Sequence, residues 1–183
     1  MLARVFTLLA FAAGALATNG TFRHPIAKPV FQVELLAGLP YNVTTPGGGN
    51  IAAVPNRGGT VSGIFNGEII GNLTSAIETI LPSEDGEYSR WENNLIFTNA
   101  DDDRILVSIT GKITYANEAL HGFGYATFQT TILGFEWTNY ATFLVEWIAD
   151  FYTGTGQAEI FQITTGGRLD GKPIDALLPP GTA

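Results

Sequence analysis

The chain has 183 residues and a formal net charge of −8 at pH 7, with only 9 lysine and arginine residues. An acidic chain with so few cations repels phosphate groups, so we expect no nucleic-acid partner and no binding to anionic lipid. Cysteine is absent, which excludes disulfides and cysteine catalysis and makes the hydrophobic core the main source of stability.

The N-terminus reads as a secretory signal peptide over residues 1–17. Arg4 supplies the positive start, residues 5–13 form an apolar run, and Ala15–Ala17 is a small-residue cleavage site. A membrane anchor is the alternative, but the run is shorter than the ~20 residues that a span needs. We therefore expect a secreted protein, cleaved after Ala17, with no stable membrane span.

Three N-glycosylation sequons follow, at Asn19, Asn42 and Asn72. Together with a signal peptide they predict a glycosylated protein of a eukaryotic secretory pathway. Asn42 and Asn72 are the better acceptors because turn residues surround them, whereas Asn19 is close to the expected mature N-terminus.

The predicted domain covers residues 30–164. Before it, residues 18–29 form an extended leader with two prolines, and after it residues 165–183 form an irregular tail. Residues 30–38 alternate as a strand. Three prolines and a glycine triplet predict a long loop over residues 40–58.

Short alternating segments separated by turn signals make up the rest of the domain. Asn66-Gly67 is a strong hairpin signal, and Asn93-Asn94 suggests a bulge. The pattern, rich in glycine and aromatic residues, predicts an all-β fold: a single antiparallel β-barrel, calycin-like, of about nine to ten strands. Further strands are predicted at 60–65, near 69, and at 75–81, 87–98, 105–115, 121–133, 143–151 and 157–164.

One segment, FLVEWIADF at residues 143–151, fits two templates. As a helix it places Phe143, Trp147 and Phe151 on one face. As a strand it places all odd positions on the apolar side and both acids on the other. Its position after one predicted strand and before another favours the strand.

Three stretches carry a resemblance: GGTVSGIFNGEIIGN, ENNLIFTNADDDRILVSITGKITY and GFGYATFQT, in this order. They resemble a family of small antiparallel β-barrels of bacteria and fungi that is classed as a domain of unknown function. The resemblance covers residues 30–164 and implies a barrel, but it transfers no catalytic residue. By a weaker analogy, secreted fungal barrels of this kind include hetero-Diels–Alderases of tropolonic sesquiterpenoid biosynthesis.

Metal and cofactor motifs are scarce. His24 and His121 are far apart and have no paired ligand spacing, and residues 101–103 are better explained as a solvated acidic turn than as a weak cation site. The glycine triplet lacks a following Lys-Ser or Lys-Thr, and no G-x-S-x-G motif is present. We predict neither a metal nor a cofactor.

Aromatic residues are the best candidates for a binding site. We predict that Trp91, Trp147, Phe65, Phe151 and Tyr125 face the interior, where they either pack the core or line an opening for a small hydrophobic molecule. Tyr125 is also a candidate hydrogen-bond donor for catalysis.

Glu146 and Asp150 are the candidate catalytic acids. On one strand they would be about 13 Å apart, at ~3.3 Å per residue, so each would act separately. The alternative places both on the outer wall of the barrel, in water.

The sequence favours a secreted, cofactor-free barrel enzyme that binds an apolar, ring-bearing polyketide or terpenoid and orients it for cyclisation or cycloaddition. The alternatives are a non-catalytic extracellular carrier and a structural barrel with a filled core. Exposed aromatic strand faces are compatible with a homodimer.

Overall fold

The computed structural model describes residues 20–46, 49–81, 88–116, 119–150 and 152–174. The predicted signal peptide, Asn19 and Phe151 lie outside these residues. The described residues contain ten β-strands, no α-helix and one short 3₁₀ helix, Glu136–Asn139. The strands are β1 (Ile26–Ala37), β2 (Tyr41–Thr44), β3 (Asn50–Gly63), β4 (Gly67–Ile69), β5 (Ser75–Leu81), β6 (Tyr88–Thr98), β7 (Arg104–Ala116), β8 (Ala119–Gln129), β9 (Thr142–Asp150) and β10 (Thr155–Thr164).

The strands form one antiparallel sheet that closes into a ring, which confirms the predicted all-β barrel. Its order is β1-β10-β9-β8-β7-β6-β4-β3-β2, with β5 between β3 and β6, and the pairing of β1 with β3 closes the ring. β9 confirms that FLVEWIADF forms a strand and not a helix. Closure gives the ring strands neighbours on both sides, so among the described strands only the short β2 remains as an outlying edge.

The chain divides into two units, Ala27–Ile163 and a smaller unit whose described residues are 20–26 and 164–174. The larger unit contains the barrel. In the smaller one, Phe22 forms a single β-bridge with Arg168. The backbone N–H of Arg23 donates to the carbonyl of Gly167 at 2.8 Å.

The predicted loop over residues 40–58 is wrong, because β2 and the first half of β3 occupy most of it. β3 pairs with β2 and β5 over its first half and with β1 and β4 over its second. Pro55 lies where β3 changes partners, a place where its missing N–H removes little from the ladder. Proline therefore marked a change of pairing here and not the absence of a strand.

The bulge predicted at Asn93-Asn94 is also wrong. The register between β6 and β7 is unbroken from Tyr88 to Thr98. The observed irregularity lies between Leu36 and Ala37 of β1, opposite Asn56 of β3.

β4 and β5 both lie between β3 and β6, and a gap in the strand pairing separates them. Asn56 of β3 fills this gap. Its side chain is 1% exposed, and its Nδ2 donates to Thr74 Oγ1 and Asn93 Oδ1, both at 2.8 Å, and to the Asn94 carbonyl at 3.0 Å. Its backbone carbonyl accepts from the N–H of Asn72 at 2.7 Å. A single buried amide thus replaces the missing strand-to-strand bonds.

Candidate functional site

The barrel interior is packed at the end where residues 130–141 connect β8 to β9, which we call the closed end. Phe31, Phe97, Phe128 and Phe143 fill it, with ring centroids 4.6–6.0 Å apart between neighbours. All four rings are almost completely buried. This half of the barrel has the aromatic density of a normal protein core.

The closed end is covered by the segment that contains the 3₁₀ helix. Phe135 packs edge-on against Phe65, with centroids 5.9 Å apart, and Trp137 lies 6.0 Å from Phe143. Phe65 therefore faces inward, as predicted, and belongs to this packing.

The opposite end, where residues 151–154 connect β9 to β10, is the open end. Beneath it lies a cavity of about 70 Å³ inside the barrel wall. Its surface is almost entirely apolar, which suits a hydrophobic ligand. The side chains that line it include Val33, Leu35, Trp91, Ile109, Val145 and Trp147, with Asn93 and Gln157 as polar members.

The indole of Trp147 lies flat on a floor made by two glycines of neighbouring strands, Gly111 of β7 and Gly122 of β8. A Cβ atom on Gly122 would overlap Cε2 and Cζ2 of Trp147, and one on Gly111 would lie 2.5 Å from its Cη2. The glycines are thus required by the close approach of an aromatic ring. Trp147 reaches from β9 across β8 to β7, and Gly111 is paired with Trp91 of β6, so the two tryptophans share one cavity.

Buried polar side chains cluster in the same half of the interior. Glu78, Ser89 and Asn93 are 6%, 1% and 3% exposed. Glu78 is paired across the strands with Trp91, a position that brings the two side chains into contact range. The sequence analysis missed this group, and Glu78 in particular, because apolar residues occupy both phases of SAIETIL. Alternation therefore did not show which face of this strand points inward. The one acid in an otherwise largely apolar strand could still have marked Glu78 as a candidate site residue.

The predicted inward position of Trp91 and Trp147 agrees with the structure, in which each is 9% exposed. The prediction for Tyr125 is wrong. Its side chain is 65% exposed, because Gly124 and Ala126 take the inner positions of β8. Tyr125 points away from the cavity and into solvent.

Glu146 lies on the outer wall and pairs with His121, with Oε1 2.8 Å from Nε2 and both side chains 52% exposed. It is directly opposite Glu159. A surface groove of about 440 Å³ runs past it, with Gln32, Glu34, Gln157 and Glu159 among the lining residues. The groove is larger than the inner cavity but open and much more polar than that cavity, so it suits an apolar ring less well.

Asp150 is exposed at the end of β9 and shapes the following turn. Its Oδ1 accepts the backbone N–H groups of Tyr152 at 2.7 Å and Thr153 at 3.1 Å. Hydrogen bonds from the backbone of Thr153, and then from that of Tyr152, lower the pKa of Asp150 below its ordinary value of 3.8. The geometry gives Asp150 a role in the turn, and the structure does not bring it to the cavity.

No group of three or more His, Asp or Glu residues within the described ranges could hold a metal ion. The same residues include no helix of the length and hydrophobicity that a membrane span requires.

The family profile described as "Protein of unknown function (DUF3237)" matches residues 25–147. The chain belongs to the DUF3237 family. This confirms the predicted resemblance to a barrel family of unknown function. A comparison of the sequence with curated proteins found no match.

Solved structures share the DUF3237 barrel at low sequence identity. A conserved protein of unknown function from Rhodopseudomonas palustris is 16% identical, with a TM-score of 0.67, over 78% of this chain and 99% of the other. A beta-barrel like protein from Acinetobacter baumannii is 13% identical, with a TM-score of 0.66, over 78% and 98%. An enzyme from Penicillium herquei is 21% identical, with a TM-score of 0.57, over 79% and 99%. These likenesses show the fold.

Proposed function

We propose that this DUF3237 protein is a cofactor-free enzyme that binds an apolar, ring-bearing polyketide or terpenoid at the open end. It would promote a cyclisation or a hetero-Diels–Alder cycloaddition of that substrate. The observation that carries this proposal is the apolar cavity between Trp91 and Trp147, next to the buried phenylalanines of the closed end. The fungal neighbour described as an enzyme supports catalysis on this fold.

The size of the cavity limits how the substrate can sit. At about 70 Å³ it is smaller than the ~150 Å³ engineered cavity that holds a benzene molecule. Only one edge of a ring or a branched methyl group therefore enters, unless the wall moves. The remainder of the substrate lies at the open end, which leaves room for a second reacting group.

Catalysis by orientation fits these residues. Holding two reacting groups at bonding distance lowers a barrier by several kcal/mol without acid–base chemistry. Where a proton must be moved, Glu78 is the best candidate, because it is buried and paired with Trp91. A catalytic role for Glu146, Asp150 or Tyr125 would need a substrate on the outer wall and stays a prediction.

Turnover tests the proposal directly. The purified mature chain, residues 18–183, would be incubated with a tropolone-derived quinone methide precursor and a terpene, and product formation followed against buffer. We expect product to form faster with the protein than in buffer. If Glu78 transfers a proton, Glu78→Gln should lower the catalysed rate about 10²-fold or more. Glu92→Gln is the matched control, since Glu92 is exposed on the neighbouring strand β6, opposite Ile77, and pairs with Arg90 at 2.9 Å.

Binding measurements separate the enzyme from the carrier. Quenching of tryptophan fluorescence by the substrate should weaken in Trp91→Phe and in Trp147→Phe and disappear only when both are replaced, whereas it should persist in Trp137→Phe, whose indole is at the closed end. Binding without turnover would replace the enzyme with a carrier of hydrophobic molecules. Neither binding nor turnover would leave the structural barrel as the remaining function.

A further inference from the structure

Two buried polar atoms near the cavity lack hydrogen-bond partners. Nε1 of Trp147 and Oγ of Ser89 have almost no solvent contact and no partner among the described residues. Buried donors are nearly always paired in native proteins, and an unpaired one costs about 1–3 kcal/mol. Two in one half of a small barrel therefore call for an explanation.

Water does not provide one for Trp147. A buried water needs two to four polar partners, and apolar cavities stay dry. The indole rests on the glycine floor and faces a cavity whose surface is almost entirely apolar, with Asn93 and Gln157 as its polar members. The donor is thus available to a ligand that brings its own acceptor.

The glycine floor permits the movement that such a contact requires. In this structure Nε1 lies over Gly122 and is closed to solvent. Gly111 and Gly122 present no Cβ atoms, so no side chain of the floor itself opposes a slide or tilt of the indole. The starting position is destabilised by its unpaired donor, which lowers the cost of the movement.

We propose that Trp147 recognises an oxygen on the ring of the bound molecule by donating its Nε1–H to a carbonyl or phenolic oxygen. The indole tilts on Gly111 and Gly122 as the ring enters. This inference rests on the proposed function and narrows it to ring ketones, tropolones and phenols, with pure hydrocarbons bound less well. Ser89 of β6 lies in the register row that runs through Ile113 and Gly122 to Trp147.

A matched pair of probes tests the hydrogen bond. Cyclohexanone and methylenecyclohexane have the same shape, but only the ketone accepts a hydrogen bond. The chain has three tryptophans, so its ¹H–¹⁵N spectrum should contain three indole signals, which the Phe variants assign. We expect the ketone alone to move the Trp147 indole proton downfield, while the Trp137 signal stays in place.

Affinities give the second readout. The wild-type protein should prefer the ketone by a factor of about 3 to 10, the usual net effect of one hydrogen bond. Trp147→Phe, which keeps a ring on the glycine floor, should bring that ratio to about one. If Trp147→Phe does not fold, the wild-type spectra and affinities decide the question alone.

The outcomes separate the two proposals. If both probes bind equally well and the Trp147 signal ignores the ketone, the hydrogen bond is wrong while ring binding stands. If neither probe binds at millimolar concentration, the cavity is not a ring site and both proposals fail.

Discussion

At the scale of single residues, Trp147 shows what the sequence could and could not predict. Alternation in FLVEWIADF placed its ring inside the barrel. It could not show that Gly122, three residues before Tyr125, receives that ring, because the contact joins separate strands. A glycine in a strand indicates either a bend or a close approach, and only the register distinguishes the two.

Gly122→Ala tests this contact. Its Cβ would overlap the Trp147 indole, so we expect a loss of about 1–3 kcal/mol in the free energy of unfolding, as for other overpacked cores. Ring binding should weaken as well. Denaturant unfolding followed by fluorescence measures the change.

Gly156→Ala is the matched control, because Gly156 also lines the cavity but a Cβ there meets its nearest neighbour at 3.5 Å. Its free energy of unfolding should stay within ~0.5 kcal/mol of the wild-type value. Equal stability of the two variants would mean that the indole does not lie on Gly122.

At the scale of strands and turns, local patterns predicted most elements, but pairing decided their limits. The segments at 75–81 and 143–151 were predicted within one residue of the strands β5 and β9. Residues 40–58 were not, because β3 is held by four neighbours and tertiary pairing outweighs its glycine and proline content. The buried face of β5 was equally hidden, since it depends on which neighbour Glu78 meets.

Asn56→Ala tests the junction between β4 and β5. The substitution leaves the Asn93 amide and the Asn94 carbonyl without their partner, so we expect a loss of about 2 kcal/mol or more. Asn94→Ala removes only an exposed contact with Ser108 and should change stability by less than ~0.5 kcal/mol. Urea unfolding measures the free energy of unfolding of both variants. If Asn56→Ala is as stable as the wild type, other residues stabilise the junction.

Asp150→Asn tests the turn after β9 through its pH dependence. The pKa of Asp150 is lowered in the folded chain. The ionised carboxylate therefore contributes fully to the free energy of unfolding above pH ~4, and this contribution is lost as the pH falls through the folded pKa. Asparagine can accept the same backbone hydrogen bonds but does not titrate. The stability advantage of wild type over Asp150→Asn should therefore shrink from pH 6 to pH 3 in urea unfolding. A difference that does not change with pH would contradict this role.

At the scale of the whole molecule, composition and alternation predicted an all-β barrel, and the family match agrees. Neither could predict the ring order, because closure joins β1 to β3 and β10 across long stretches of chain. The cavity was out of reach for the same reason. The position of the cavity depends on which end of the barrel the phenylalanines fill. Predicting that end requires the pairing register of every strand.

Secretion is a prediction at this scale. Expressed in a eukaryotic secretory host, the chain should leave the cell beginning at Thr18 and carry glycans on Asn42 and Asn72, both exposed. Asn42→Gln and Asn72→Gly should each remove one glycan, and glycine fits the φ of 62° at position 72. Intact mass before and after glycosidase treatment measures this, and an unmodified intracellular chain would contradict it.

The packing of five buried phenylalanines of the described residues at the closed end has a consequence for how this barrel can diversify. Because the core at the closed end supplies most of the aromatic packing, the open end can vary in sequence. Substitutions around Trp91 and Leu35 would alter ligand preference and leave the core that stabilises the fold intact. A library randomised at the mouth should thus retain far more soluble members than one randomised around Phe97.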